Sequence, residues 1–121
     1  KYEHMELFVY LRTEIICMTV KKSYTSEQKR LARQAKALGH PVRIAIIEML
    51  LSQSCCYHGD MSEVIPVAKS TLSQHLNELK DAGIIQGTIT PPTVKYCINR
   101  EHWAEAGEMF EKLFNKNVRY E

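Results

Sequence analysis

The stretch from Asp60 to Ile98, DMSEVIPVAKSTLSQHLNELKDAGIIQGTITPPTVKYCI, constrains the fold more than any other part of the chain. Asp60 sits where a helix N-cap accepts a backbone N–H, and Glu63 stands three residues on, at the reciprocal position of a capping box. Pro66 keeps this first helix short, because proline is disfavoured beyond the first turn. Residues 69 to 82 then put Leu72, Leu76 and Leu79 on one side and polar residues on the other, and Gly83 stops the helix. Ile84 to Ile89 and Val94 to Ile98 are β-branched runs separated by Thr90, Pro91, Pro92 and Thr93, which predicts a hairpin. Short helix, turn, longer helix and two-stranded ribbon form the order of a winged helix-turn-helix. The expected fold is mainly α with a β-hairpin wing, and dimeric.

The flanks supply the remaining helices. Thr25 and Gln28 resemble a capping box opening a helix near Thr25 or Ser26, with Leu31, Ala32, Ala35 and Leu38 as its apolar stripe and Gly39 as its end. Pro41 suits the first turn of the next helix, and Val42, Ala45, Ile46, Met49 and Leu50 follow core-helix spacing. Asn99 caps a last helix with Trp103, Ala106, Phe110, Leu113 and Phe114 on one face. Residues 1 to 24 read as an arm: Leu7, Val9 and Leu11 fit a strand, and Tyr2, Met5, Phe8 and Val9 fit a helix about as well. The arm packs on this domain or on a partner, or is a tail. The expected organisation is therefore an arm at 1–24 and a winged helix-turn-helix domain at 25–121 with terminal dimerisation helices. The first residue is Lys1, which suggests a trimmed product; Met18 is an alternative start.

A length of 121 residues supports one domain, or one domain and an arm, and gains from dimerisation. The composition is ordinary for a globular protein, with 45% hydrophobic and 25% charged residues, and the net charge of +2 is mild. A DNA-binding role needs charge clustered locally, not a strongly basic total. Residues 5 to 18 are apolar but interrupted by Glu6, Arg12 and Glu14, and are too short to span a bilayer. With no secretory signal, a cytoplasmic location without membrane contact is expected. Four cysteines are then expected to be thiols or metal ligands rather than disulfides.

The face opposite the leucines of the 69–82 helix carries Lys69, Ser70, Thr71, Ser73, Gln74 and Asn77. Hydroxyls and amides of this kind approach phosphates and base edges, and glutamine pairs bidentately with adenine. The second helix of the motif places its N-terminal residues in the major groove, and its dipole favours phosphate. The plain alternative is a solvated helix face; the short capped helix before it and the hairpin after it favour double-stranded DNA. The wing adds little charge, with Lys95 nearest its tip. Lys29, Arg30, Arg33, Lys36 and Arg43 either contact phosphates or form a solvated face.

Three blocks carry a family resemblance. AKALGHPVRIAIIEML, STLSQHLNELKDAGII and KYCIN resemble the first core block, the recognition-helix signature and the second wing strand of the ArsR family of small winged-helix repressors, also called ArsR/SmtB. The resemblance spans residues 30 to 115. It implies a homodimer whose first and last helices pack between protomers, and operator binding weakened by an effector. Ser73, Gln74 and His75 match the family's S-x-H-L signature and so lie at or near the DNA; His75 alternatively hydrogen-bonds the helix scaffold. Ala68 stands where the family commonly has a serine cap. The apolar face of the last helix supports dimerisation independently, and packing within one protomer is the alternative. A two-fold dimer with recognition helices about 34 Å apart predicts a pseudo-palindromic operator.

Many members of this family carry a C-x-C shortly before an aspartate. Here the run is Ser54, Cys55, Cys56, Tyr57, His58, Gly59, Asp60, so the resemblance puts ligands at Cys56 and His58, one residue early, with Cys55 as an additional thiol. Thiols with an imidazole suit arsenite or antimonite, or zinc, cadmium or copper. Cys97 completes such a site if the fold brings it near, and Cys17 is a further candidate. Thiol redox or persulfide sensing at Cys55 and Cys56 is an alternative, and so is simple core filling. A winged helix used only for protein contact is a rival function, opposed by the polar stripe, since protein-binding faces present aromatic or aliphatic anchors. No pocket-forming motif or orienting third group accompanies the cysteines, so an enzyme is not expected.

Overall fold

The computed structural model describes residues 23–54, 56–90 and 93–117. The chain divides into two compact units, Lys1–Arg30 and Leu31–Glu121. The strand and helix readings of residues 1–22, with Cys17, lie outside the described residues, as do Cys55 and the Pro91–Pro92 hairpin tip. Among the described residues the elements are α1 (Ser26–Leu38), α2 (Pro41–Ser52), β1 (Cys56–His58), a 3-10 turn (Met61–Glu63), α3 (Lys69–Asp81), β2 (Ile85–Thr90), β3 (Thr93–Ile98) and α4 (Arg100–Phe114).

Local chemistry explains the helix boundaries. In the first unit, Thr25 and Gln28 close the expected capping box: the Thr25 N–H donates to Gln28 Oε1 at 2.9 Å, and the Gln28 N–H donates to Thr25 Oγ1 at 3.0 Å. In the second unit, α2 has Pro41 in its first turn and is capped by His40, whose Nδ1 accepts from the Val42 N–H at 3.1 Å. Asp60 caps the 3-10 turn through the Ser62 N–H, so the expected short first helix of the motif is tighter than an α-helix. Gly83 ends α3 with a φ of +77°, a conformation that costs other residues, and a Cβ there would meet the His102 ring at 2.8 Å. Asn99 caps α4 by accepting from the His102 N–H.

The sheet is antiparallel with strand order β1-β3-β2. β2 and β3 are the expected hairpin, with Ile85 opposite Ile98 on the core face. β1 was not expected. Three residues are too few to show a period-two pattern, and the strand exists because Cys56, Tyr57 and His58 pair with Cys97, Tyr96 and Lys95. The core gathers Ile46 and Leu50 from α2, Met61, Leu79 from α3, and Ile84 and Ile85, all fully buried. Each such side chain contributes about 1.5–3 kcal/mol of burial.

Two apolar stripes differ from expectation. On α2 the buried residues are Ile46, Ile47 and Leu50, while Ala45 is exposed. That helix is apolar nearly all round, so spacing alone does not select its inner face. On α1 only Ala37 is fully buried; Ala32 and Ala35 are exposed.

Candidate nucleic-acid interface and thiol site

Helix α3 presents two faces. Leu72, Leu76 and Leu79 are buried as expected, whereas Lys69, Ser70, Thr71, Ser73, Gln74 and Asn77 are all exposed. Ala68 gives the helix no side-chain cap. Lys69 Nζ lies 3.2 Å from Asp60 Oδ2. The Ser62 hydroxyl and N–H, and then Lys69, hold the Asp60 carboxyl down at about 2. Lys95 is exposed on β3.

His75 does not share the exposed face. It is 9% exposed, its ring centroid is 4.2 Å from that of His40, and its Nδ1 is 3.0 Å from Arg43 NH1. Arginine only donates, so Nδ1 accepts and the imidazole is neutral, with its proton on Nε2. Burial, then the charges of His40 and Arg43, push the His75 pKa below its ordinary value. The scaffold alternative for His75 is thus the arrangement found, because its position in the helix turns it toward α2.

Arg43 also departs from a phosphate-contacting or solvated role. Its Nε donates to the Ala37 carbonyl at 2.6 Å and its NH2 to the Lys36 carbonyl at 3.3 Å. It therefore satisfies the last carbonyls of α1 while holding His75 of α3. Arg33 NH1 pairs with Glu78 Oε1 at 2.8 Å, and Gln34 Nε2 donates to the Ala82 carbonyl at 3.0 Å. Three polar side chains thus fix the orientation of α3 from its inner side. Sequence reasoning missed this network. The readable signal was His40 immediately before a proline-opened helix, an N-cap position.

The thiol candidates are partly united. Cys56 and Cys97 are register partners with Cα atoms 4.0 Å apart, and they form a disulfide. The fold thus brings Cys97 to Cys56, but the expectation of free thiols is not met for this pair. Side chains alternate along strands, so His58 shares the face of Cys56, opposite Lys95. Among the described residues, no three His, Cys, Asp or Glu side chains converge on a metal-sized site.

A groove of about 540 Å³ runs between α1 and α4, lined by Ala35, Leu38, Trp103, Ala106, Phe110 and Phe114. Phe114 is 74% exposed there, and its ring stacks on Phe110 at 5.9 Å. Ala35 and Leu38 of the stripe expected for α1, and Trp103, Ala106, Phe110 and Phe114 of that expected for α4, thus line one open groove. No helix among the described residues is long and apolar enough to cross a membrane.

A family model described as a helix-turn-helix domain matches residues 38–88. The HTH-type transcriptional regulator CmtR of Mycobacterium tuberculosis is 32% identical over 85 residues, covering 69% of this chain and 71% of that protein. The solved structure of HlyU from Vibrio cholerae N16961 superposes with a TM-score of 0.58 at 26% identity, over 75% of this chain and 98% of that one. An ArsR-like transcriptional regulator from Rhodococcus sp. RHA1 gives a TM-score of 0.56 at 18% identity, over 71% and 80%.

Proposed function

The chain belongs to the ArsR family of winged helix-turn-helix transcriptional regulators, and we propose that it is a homodimeric repressor that a thiol-seeking metal or metalloid releases from a pseudo-palindromic operator. The observation that carries the DNA reading is the exposed polar face of α3. Ser73 and Gln74 point away from the core on the second helix of the motif, where base edges are read, and Lys69, Ser70, Thr71 and Asn77 flank them. Lys95 reaches the backbone from the wing. His75 acts indirectly, by holding α3 in place.

The dimer reading rests on the groove between α1 and α4, whose exposed aromatic rim is costly to leave in water. The effector reading rests on the adjacency of Cys56 and Cys97. Once reduced, they offer two sulfurs side by side to a soft or borderline ion such as arsenite, antimonite, zinc, cadmium or copper. His58 on the same face, or Cys55, supplies a third donor. A ligand there pulls on the segment leading to Asp60 and so on the motif. Coupling of about 1–3 kcal/mol lowers operator affinity about 5- to 150-fold.

Selection from a random duplex pool by the reduced protein, followed by fluorescence anisotropy on the winning duplex, tests this. The expected result is a two-fold symmetric site, steep salt dependence, a loss of about 1–3 kcal/mol for Gln74→Ala, and release by arsenite or Cd²⁺. Failure to enrich any sequence would sink the DNA reading. Enrichment without release by any thiophilic ion would sink the metal reading alone.

A further inference from the structure

We propose that Asp60 is a specificity-determining residue of the DNA contact: it holds Lys69 back from the phosphate backbone, so that binding depends on base edges more than on charge. This rests on the DNA-binding reading above. The face of α3 offered to a groove carries Lys69, Ser70, Thr71, Ser73, Gln74 and Asn77, all exposed. Lys69 is the one charged group in that row. Its ammonium lies 3.2 Å from Asp60 Oδ2, with the two side chains 80% and 45% exposed. The reading face therefore meets DNA with its cation already matched by a carboxylate of the same chain.

The two partners differ in their freedom to move. Asp60 Oδ1 accepts from the Ser62 N–H at 2.9 Å and from the Ser62 hydroxyl at 2.6 Å. The backbone here is pinned as well. The Gly59 N–H donates to the Val94 carbonyl at 3.2 Å, and the Tyr57 hydroxyl donates to the Asp60 carbonyl at 3.4 Å. Lys69 is by contrast a point charge on a flexible stem. Any rearrangement moves the lysine and leaves the carboxylate in place. The Ser62 hydrogen bonds, and then Lys69, hold that carboxyl down at about 2, so it keeps its charge throughout the neutral range.

So exposed an ion pair adds little to stability, and its effect lies in binding. To reach a phosphate, Lys69 must leave Asp60 and uncover an unmatched negative charge beside a polyanion. Asp60, Lys69 and Ser73 line one cleft of about 370 Å³ with Val94 and Tyr96 of the wing, so that charge sits next to a base-reading side chain. Sequence-independent binding is almost wholly neutralisation of phosphates by free cations. A specific complex is fixed by the base contacts of Ser73 and Gln74, and Lys69 stays paired in it. The cost of freeing Lys69 thus falls mainly on nonspecific complexes, and Asp60 widens the gap between the two.

The experiment measures anisotropy of the full reduced chain on the duplex selected above and on a scrambled duplex of equal length, over a series of salt concentrations. Asp60→Asn removes the charge and keeps a good cap, and Asp60→Ser is a second neutral cap that should behave alike. On the scrambled duplex either variant should bind about fivefold more tightly at low salt, the effect of one unit charge a few ångströms away in water. Its salt slope should steepen by about one, for the phosphate that Lys69 now neutralises. The selected duplex should gain less, so the ratio of the two affinities falls. Adding Lys69→Gln to Asp60→Asn should return the slope to that of the parent. An unchanged affinity and slope on the scrambled duplex, an equal gain on both duplexes, or a gain that survives Lys69→Gln overturns the role of Asp60 while leaving the regulator intact. Absence of binding to either duplex by the parent and the variants overturns the DNA reading itself.

Discussion

Replacing Arg43 by methionine should unfold the domain more easily by about 2–4 kcal/mol. Methionine keeps the apolar stem of the side chain and removes the guanidinium. Three hydrogen bonds go with it, to the carbonyls of Ala37 and Lys36 and to His75 Nδ1. Hydrogen bonds to charged groups contribute about 1.5–3 kcal/mol each. The Lys36 contact is long and exposed and is discounted, and the other two are only partly buried, which brings the sum down to the stated range. Urea denaturation followed by circular dichroism measures the loss. With a slope of about 2 kcal/mol/M, the midpoint should fall by about 1–2 M. Arg43→Lys should be nearly as harmful, because an ammonium cannot bridge three acceptors arranged for a planar fork. A double-mutant cycle with His75→Gln should give coupling of about 1 kcal/mol or more, as expected for residues in one network. An unchanged urea midpoint, combined with weaker DNA binding and a salt slope reduced by about one unit, would refute the reasoning. Arg43 would then be a phosphate contact, as its sequence position allows.

The same network predicts a pH response. His75 has a folded pKa below its ordinary value of 6.5, so the unfolded chain takes up its proton first. Its contribution to stability is complete above about pH 6.5 and is lost as pH falls through the lower folded value. Melting temperatures between pH 8 and pH 4.5 should show this slope in the parent and a flatter profile in His75→Gln; identical profiles would remove His75 from the account. Phe110→Asp, in the middle of the α1–α4 groove, should halve the mass measured by light scattering without altering helix content. An undiminished dimer would place the protomer contact elsewhere.

Much of the architecture was legible because it rests on local rules. Thr25 with Gln28 and Asn99 with His102 are capping arrangements among residues three apart, so the sequence carries both partners together; Asp60 caps as expected, but its partner is the Ser62 N–H where a box with Glu63 was expected. The leucine spacing of α3 specified its inner face, and the polar remainder therefore had to be its outer one. His75 was ambiguous for the converse reason. It falls between the two faces, and only a partner 32 residues away in sequence, Arg43, decides that it turns inward. The stripe on α2 was misread because a helix apolar on most sides offers no contrast by which to choose.

The sequence by itself determined the order of elements, the α3 surface offered to a groove, and the presence of unusual thiols near the motif. Periodicity and capping act over a few residues, and for them chain order and spatial order coincide. Only the tertiary structure decided which cysteines meet. Cys56 and Cys97 are 41 residues apart and come together through a three-residue strand that no propensity announces. It likewise decided that Arg33, Gln34 and Arg43 brace the recognition helix instead of facing solvent. Long-range pairing is set by how strands and helices pack as a whole, and a basic side chain has the same local signature whether its partner is water, a phosphate or a carbonyl of the next helix.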